Sequence, residues 1–279
     1  MAPPSVFTRP KRQILGTVAT SQRVIDVSTE SGLIAAIGLL ASKYIDVECG
    51  CEIRIVQTFT ITQSIVIPAT LRGLIICSNG FTRTDVASDV LIAFDVRGLP
   101  FAARGLHLVG TQGTGDNYAI KCTGSVGAAP TRVFQVSDCT IDGFDRPAWS
   151  DVSDKFIATT FTRLLIRSSS GIPQLIPGGH APEVSFCMGA DSSAGPSATS
   201  IFINVEASGA RILSNYVGPA GAIGISTGSG ATIIGNHGSG GVGSSIDTSG
   251  GGGTCVIVGN TGFGGGYFTS ATDDEGLNT

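Results

Sequence analysis

A chain of 279 residues, 42% of them apolar and 14% charged, has enough aliphatic side chains to bury a large core and is not disordered by composition. Its formal net charge of −4, with no basic stripe, argues against nucleic acid as a partner, and no run approaches the roughly 18 apolar residues of a membrane-crossing helix. Forty glycines and a scarcity of helix-favouring Lys and Glu predict short strands joined by tight turns.

Residues 1–21 hold three prolines and the basic run Arg9-Pro10-Lys11-Arg12, without periodicity. They read as an extended arm that becomes ordered only by docking. Val6, Phe7, Arg9, Lys11, Arg12, Ile14 and Leu15 are its candidate anchoring residues. Positions 13–22 lack the apolar core of a secretory signal, so export by that route is not expected.

Residues 22–44 predict a strand at Arg23–Val27 and then a helix, with Ser28-Thr29-Glu30 supplying an N-cap and a first-turn carboxylate. Leu33, Ile34, Ile37, Leu40, Ala41 and Tyr44 recur at helical spacing. Because Ala35, Ala36, Gly38 and Leu39 occupy the other side, the helix is apolar nearly all round and has to be covered. Closing the open end of a stack of strands would meet that demand.

From Ile45 the odd positions to Ile55 are apolar, with a bend at Gly50, and the alternation returns over Phe59–Ile67. Aliphatic strands are expected at Leu74–Ile76, Val90–Phe94, Leu106–Val109, Val133–Val136, Phe161–Ile166, Val184–Phe186 and Ile201–Val205. One phrase then occurs three times: Ala210-Arg211-Ile212-Leu213-Ser214-Asn215, Ala231-Thr232-Ile233-Ile234-Gly235-Asn236 and Cys255-Val256-Ile257-Val258-Gly259-Asn260. A second phrase, Ile225-Ser226-Thr227 and Ile246-Asp247-Thr248, repeats out of phase with it. Recurrence at such intervals marks a stacked solenoid with at least two strands per repeat, since a short strand buries its apolar face only against equivalents above and below. Asn215, Asn236 and Asn260 are expected at stacked structural turns, because Asn tolerates the left-handed conformation of a corner. Residues 45–268 would thus form one coil of about ten turns rising roughly 50 Å, and the acidic tail 269–279 would fray.

Seven cysteines are scattered, with Cys49-Gly50-Cys51 the one close pair. Without Cys-x-x-Cys or a neighbouring His they predict buried free thiols rather than zinc, and neither metal nor cofactor is expected.

The order of elements resembles the right-handed parallel β-helix proteins of the pectate-lyase-like superfamily. The resemblance rests on Val24-Ile25-Asp26-Val27, the helix Leu33–Lys43, the first coil Ile45–Gly50, Ile65-Val66-Ile67-Pro68, Leu71-Arg72-Gly73 and the C-terminal coil phrases. It implies an all-β, right-handed parallel β-helix with an N-terminal capping helix. Polysaccharide-cutting members, many bacteriophage tailspikes among them, carry a Gly-Asp-Gly-x-x-Asp-Asp-Thr-like segment between first strand and helix, where this chain has only Ser28–Gly32. The remaining profile looks like a phage virion structural protein, such as a tail spike or fibre or a capsid decoration. For such a protein the resemblance implies a homotrimer, other virion proteins as partners and contact with host surface polysaccharide.

The rival expectation is an enzyme on the same fold. Glycoside hydrolysis needs two carboxylates, one of them held protonated, and the densest acidic group is Asp138, Asp142 and Asp145. Trp149 nearby could stack on a sugar, and Lys155, Arg163 and Arg167 could neutralise a uronate. Asp138 and Asp142 on one straight strand would lie about 13 Å apart, too far for the pair unless the chain bends. His107, His180 and His237 are too widely spaced to suggest a catalytic triad, and the glycine-rich run 238–253 lies between strands, where a phosphate-binding loop is not expected.

Overall fold

The computed structural model describes residues 24–45, 48–110, 117–123, 132–150, 157–168, 174–179, 181–191, 201–205, 208–217, 223–238, 245–249, 253–264, 266–268 and 274–276. Strands of two to six residues stack in parallel into sheets of eleven, eight and nine strands, which form the three walls of a β-solenoid. Each coil visits the sheets in the same order, as β2 (Glu52–Ile55), β3 (Phe59–Ile61) and β4 (Ile65–Ile67) do in the first. We call the walls the first, second and third sheets in that order.

Among the described residues eight coils place a strand in all three sheets, fewer than the expected ten or so. Coil length explains the difference. Near the C-terminus Arg211 pairs with Thr232, a short step along the chain, but in the middle Ala102 pairs with Gln135, a much longer one. The C-terminal phrases that set the expected period belong to the tightest coils. Eleven strands at the parallel spacing span about 48 Å.

The alternation of side chains puts every second residue inside, and parallel register stacks those residues into columns. In the first sheet one column runs Ile53, Ile76, Ala103, Val136, Phe161, Val184, Ile212, Ile233 and Ile257, all buried. The repeated phrases supply its last three members. Phe134 sits between Phe101 and Phe161, with ring centroids 6.2 and 5.8 Å away. The third sheet carries a matching column from Ile65 and Phe94 to Ile225 and Ile246.

Several expected single strands are two strands around a corner. Phe161–Ile166 divides at Arg163 (φ 52°), and Phe186 (φ 55°) ends its strand instead of extending it. Of the second sheet, the sequence marks Phe59–Ile61 and His107–Val109 but not its remaining strands as a separate wall, because strands of two to four residues are too short for periodicity to register. Within the acidic tail, Asp274–Gly276 pairs in parallel with Val256–Val258 as the last strand of the first sheet, where fraying was expected.

The corner from first to second sheet is a column of left-handed residues: Gly80, Gly105, Asp138, Arg163, Phe186, Ser214, Gly235 and Gly259. In the repeated phrases it is thus the residue before the asparagine that takes the positive φ. Asn215, Asn236 and Asn260 follow it and point inward, with exposures of 2%, 1% and 0%. Each amide bridges coils. Asn236 Oδ1 accepts from Asn215 N and Nδ2, both at 2.9 Å, while its Nδ2 donates to Ile212 O and Asn260 Oδ1 at 2.9 Å. Asn215 Oδ1 accepts from Cys187 N one coil earlier, continuing the line.

At the N-terminal end, β1 (Val24–Val27) pairs with β2 and leads into α1 (Glu30–Lys43). Thr29 is the N-cap, its Oγ1 accepting from Gly32 N at 3.0 Å. Glu30 clamps the helix to the first coil by accepting from Thr62 N and Oγ1 at 2.7 Å and from Gln63 N at 3.1 Å. Leu33, Ala36, Ile37 and Leu40 are buried over the end of the stack, as a cap requires. Among the described residues nothing covers one flank of the helix, where Ile34 and Leu39 are 39% and 60% exposed.

Asn236→Ala removes the buried acceptor of Asn215 N and one of the two acceptors of Asn215 Nδ2, together with the amide donor to Ile212 O and Asn260 Oδ1. It should cost about 3 kcal/mol, measured by urea unfolding, whereas exposed Thr254→Ala should change stability by less than about 0.5 kcal/mol.

Candidate functional site

The three acids that the sequence singles out do not converge on one site. Asp138 occupies the corner column, Asp142 lies on the second sheet, and Asp145 sits at the turn into the third. Each of the first two meets an arginine one coil further along, at the same chain separation of 25. Arg163 donates from Nε and Nη2 to Asp138 at 2.5 and 2.8 Å. Arg167 donates from Nε and Nη2 to Asp142 at 2.9 and 2.8 Å. The equal spacing is the sequence signal for these pairs, but it reads as pairing only once the local coil length is known.

Asp142 has a further neighbour that sequence spacing conceals. His107 sits one strand earlier on the second sheet, and its Nε2 lies 3.5 Å from Asp142 Oδ2, both side chains being largely shielded. Arg83 and Asp85, joined at 2.6 Å, occupy the preceding strand. The outer face of the second sheet therefore begins as a self-neutralising mosaic of charges.

Asp145 is held through its backbone: its N–H donates to Asn117 Oδ1 at 2.5 Å and its carbonyl accepts from Gln174 N at 2.9 Å. Trp149 does not join the acids. It lies on the third sheet, with Tyr118 at 6.0 Å between ring centroids and Lys121 Nζ 5.0 Å from its ring and 4.2 Å from that of Tyr118. On that sheet Asp95, 6% exposed, accepts from Arg97 Nε and Nη2 at 2.9 and 2.7 Å and from Thr123 Oγ1 at 2.9 Å. Lys155, His180 and the anchoring candidates Val6, Phe7, Arg9, Lys11, Arg12, Ile14 and Leu15 lie outside the described residues.

The pairing decides what these acids can do. Hydrogen bonds from Arg163 hold the Asp138 carboxyl below its ordinary range, the reverse of what a general acid needs at neutral pH. Asp142 is engaged on both oxygens, and no third group on the second sheet completes a nucleophile–His–Asp relay among the described bonds. No cluster of three or more His, Cys, Asp or Glu side chains among the described residues could hold a metal ion. The cysteines are free thiols, six of them buried and Cys77 half-buried. Burial pushes Cys139 and Cys187 up to about 12 and is the main cause raising Cys49 and Cys77 to about 11.

Toward the C-terminus the second sheet and its corner change character. Phe186, Met188, Tyr216 and Ile234 are 61%, 50%, 39% and 41% exposed around the same corner. Tyr216 stacks on His237 with ring centroids 5.4 Å apart, and His237 Nδ1 lies 2.8 Å from Thr261 Oγ1. A bulky residue such as Phe186 in the left-handed region costs on the order of 1 kcal/mol, so its corner is strained while its ring faces solvent.

No family model matches the chain, and no curated protein matches it. Its class is therefore set by architecture: a parallel β-solenoid with an N-terminal helical cap.

The Asp138 pairing gives a pH dependence of definite sign. A depressed folded pKa adds stability that is present above the unfolded value near 3.8 and is lost as pH falls through the folded value. Because the pair is about half exposed, Asp138→Asn should cost only about 0.5 kcal/mol at pH 7. Thermal melts from pH 7 to 2 should show the variant and the parent converging below pH 4. A thiol-labelling assay at pH 8 should modify at most Cys77 quickly, with the other six reacting only on unfolding.

Proposed function

We propose that this protein is a bacteriophage virion structural protein: a trimeric β-helical appendage, either a tail spike or fibre or a capsid decoration, attached through residues 1–21. The observation that carries the non-enzymatic reading is the coil-to-coil neutralisation of Asp138 and Asp142 by Arg163 and Arg167, which turns the best candidate acids into ties along the column. Glu183 with Arg211 repeats the device on the first sheet at 3.1 Å. The exposed apolar corner at Phe186, Met188, Tyr216 and Ile234 supports self-association, since a strained aromatic held in solvent is explained by a neighbouring subunit. The arm then serves other virion proteins, and the flanks of the column contact host surface glycans.

A polysaccharide-depolymerising reading draws on one specific feature, the His107–Asp142 contact on the shielded part of the second sheet. Incubation with host capsule or lipopolysaccharide separates the two. No reducing ends or unsaturated products are expected, and activity that disappears in Asp142→Asn would establish the enzyme instead.

Two further outcomes are expected of the structural reading. Removing residues 1–21 should leave a folded trimer that no longer associates with particles, and normal assembly of the shortened chain would refute the anchor. In sedimentation, Phe186→Asp with Met188→Asp should convert the trimer to monomer while leaving the far-UV spectrum of parallel strands unchanged.

A further inference from the structure

The uncovered flank of α1 borders a groove of about 350 Å³ between the helix and β4. Ile34, Ile37 and Gly38 form one wall, and Ile65, Val66 and Pro68 form the other. Gln63 and Ser64 are its polar lining residues, and it contains no charged side chain. Its shape is fixed in advance, because the Glu30 carboxylate ties the start of α1 to Thr62 and Gln63 beside the groove.

Gly38 is the informative residue. It stands in the interior of α1, where glycine weakens a helix relative to alanine, and a Cβ built there would meet nothing within 4 Å. No described part of the molecule therefore requires a glycine at this point. A bare stretch of helix beside exposed Ile34 and Val66, at 39% and 38%, is the surface expected where another segment lies close against the backbone.

We propose that the groove receives the protein's own N-terminal segment, with Ile14 and Leu15 seated against Gly38 and Val66. Three observations choose this occupant. Residues 1–23, outside the description, lead directly into Val24, on the strand that packs against α1. From Leu15 to Val24 the chain can reach up to about 30 Å, whereas α1 with its 14 residues is about 21 Å long. Finally, the uncharged lining admits the pair Ile14-Leu15 and excludes the basic run Arg9-Pro10-Lys11-Arg12, which would be left projecting from the cap.

The inference goes beyond the assignment to a virion and does not require it. It gives the arm two parts: a base held on the cap and a tip, Val6 to Arg12, free for a partner. Loss of particle binding would test the tip, and docking of the base is read separately.

Limited trypsin digestion of the full chain, followed by mass spectrometry, tests the docking. Cleavage after Arg12 and Arg23 should be slow in the parent. It should accelerate at least about tenfold in Ile14→Ser/Leu15→Ser, and equally in Gly38→Leu, which fills the groove from the other side. The arm variant lies outside the folded column, so its result stands even if Gly38→Leu does not fold. Hydrogen exchange should show amides 63–67 losing protection in the arm variant while those of the first sheet keep theirs.

Parent cleavage as fast as in the variants overturns the proposal. So does acceleration by Val6→Ser/Phe7→Ser in place of the Ile14/Leu15 pair. Protection that disappears on dilution, or that is restored by adding a second isotopically labelled chain, would place another copy in the groove and overturn the assignment to the chain's own arm.

Discussion

A strand of three residues has one or two inward side chains and cannot hide them alone, so the molecule depends on register between coils. In the first sheet that register runs unbroken from Ile53 to Ile257, placing apolar on apolar at every rung. Slipping one residue would turn the whole row outward. The corners keep the register. A left-handed residue in each coil donates its N–H to the next coil, as Arg163 does to Ser185 O and Gly235 to Val258 O, while the Asn215–Asn236–Asn260 line adds buried amide bonds just beyond.

The same register organises the outer surface. A carboxylate on one rung finds an arginine on the next, and the spacing between them is simply the local coil length. Asp138 and Asp142 are both tied to the following coil in this way. Among the described residues the apolar exposure considered above falls in two places of different kind, the strained corner around Phe186 and the open flank of α1.

The architecture was legible because its signals are local and repeated. Period-2 alternation marks β2 to β4, and the recurrent aliphatic phrases mark rungs of the first and third sheets. What stayed hidden depends on where the chain bends. Phe161–Ile166 looks continuous in sequence, but Arg163 turns it through a corner, and beyond Phe59–Ile61 and His107–Val109 the strands of the second sheet are too short to show a period. The site suffered for the same reason. Asp138, Asp142 and Trp149 are close in sequence and lie on a corner, a second wall and a third wall, while His107, a full coil earlier in the chain, is the neighbour of Asp142.

The two ends of the column differ, and the difference bears on how long an assembly of such molecules can grow. One terminus is roofed by α1, so its outermost rungs offer few free backbone groups to a newcomer. At the other, among the described residues, the outermost strand of the first sheet is Asp274–Gly276, which pairs on one side only and has no helix over it. End-to-end growth is therefore closed at the helical end, while the far end of the first sheet keeps a strand edge.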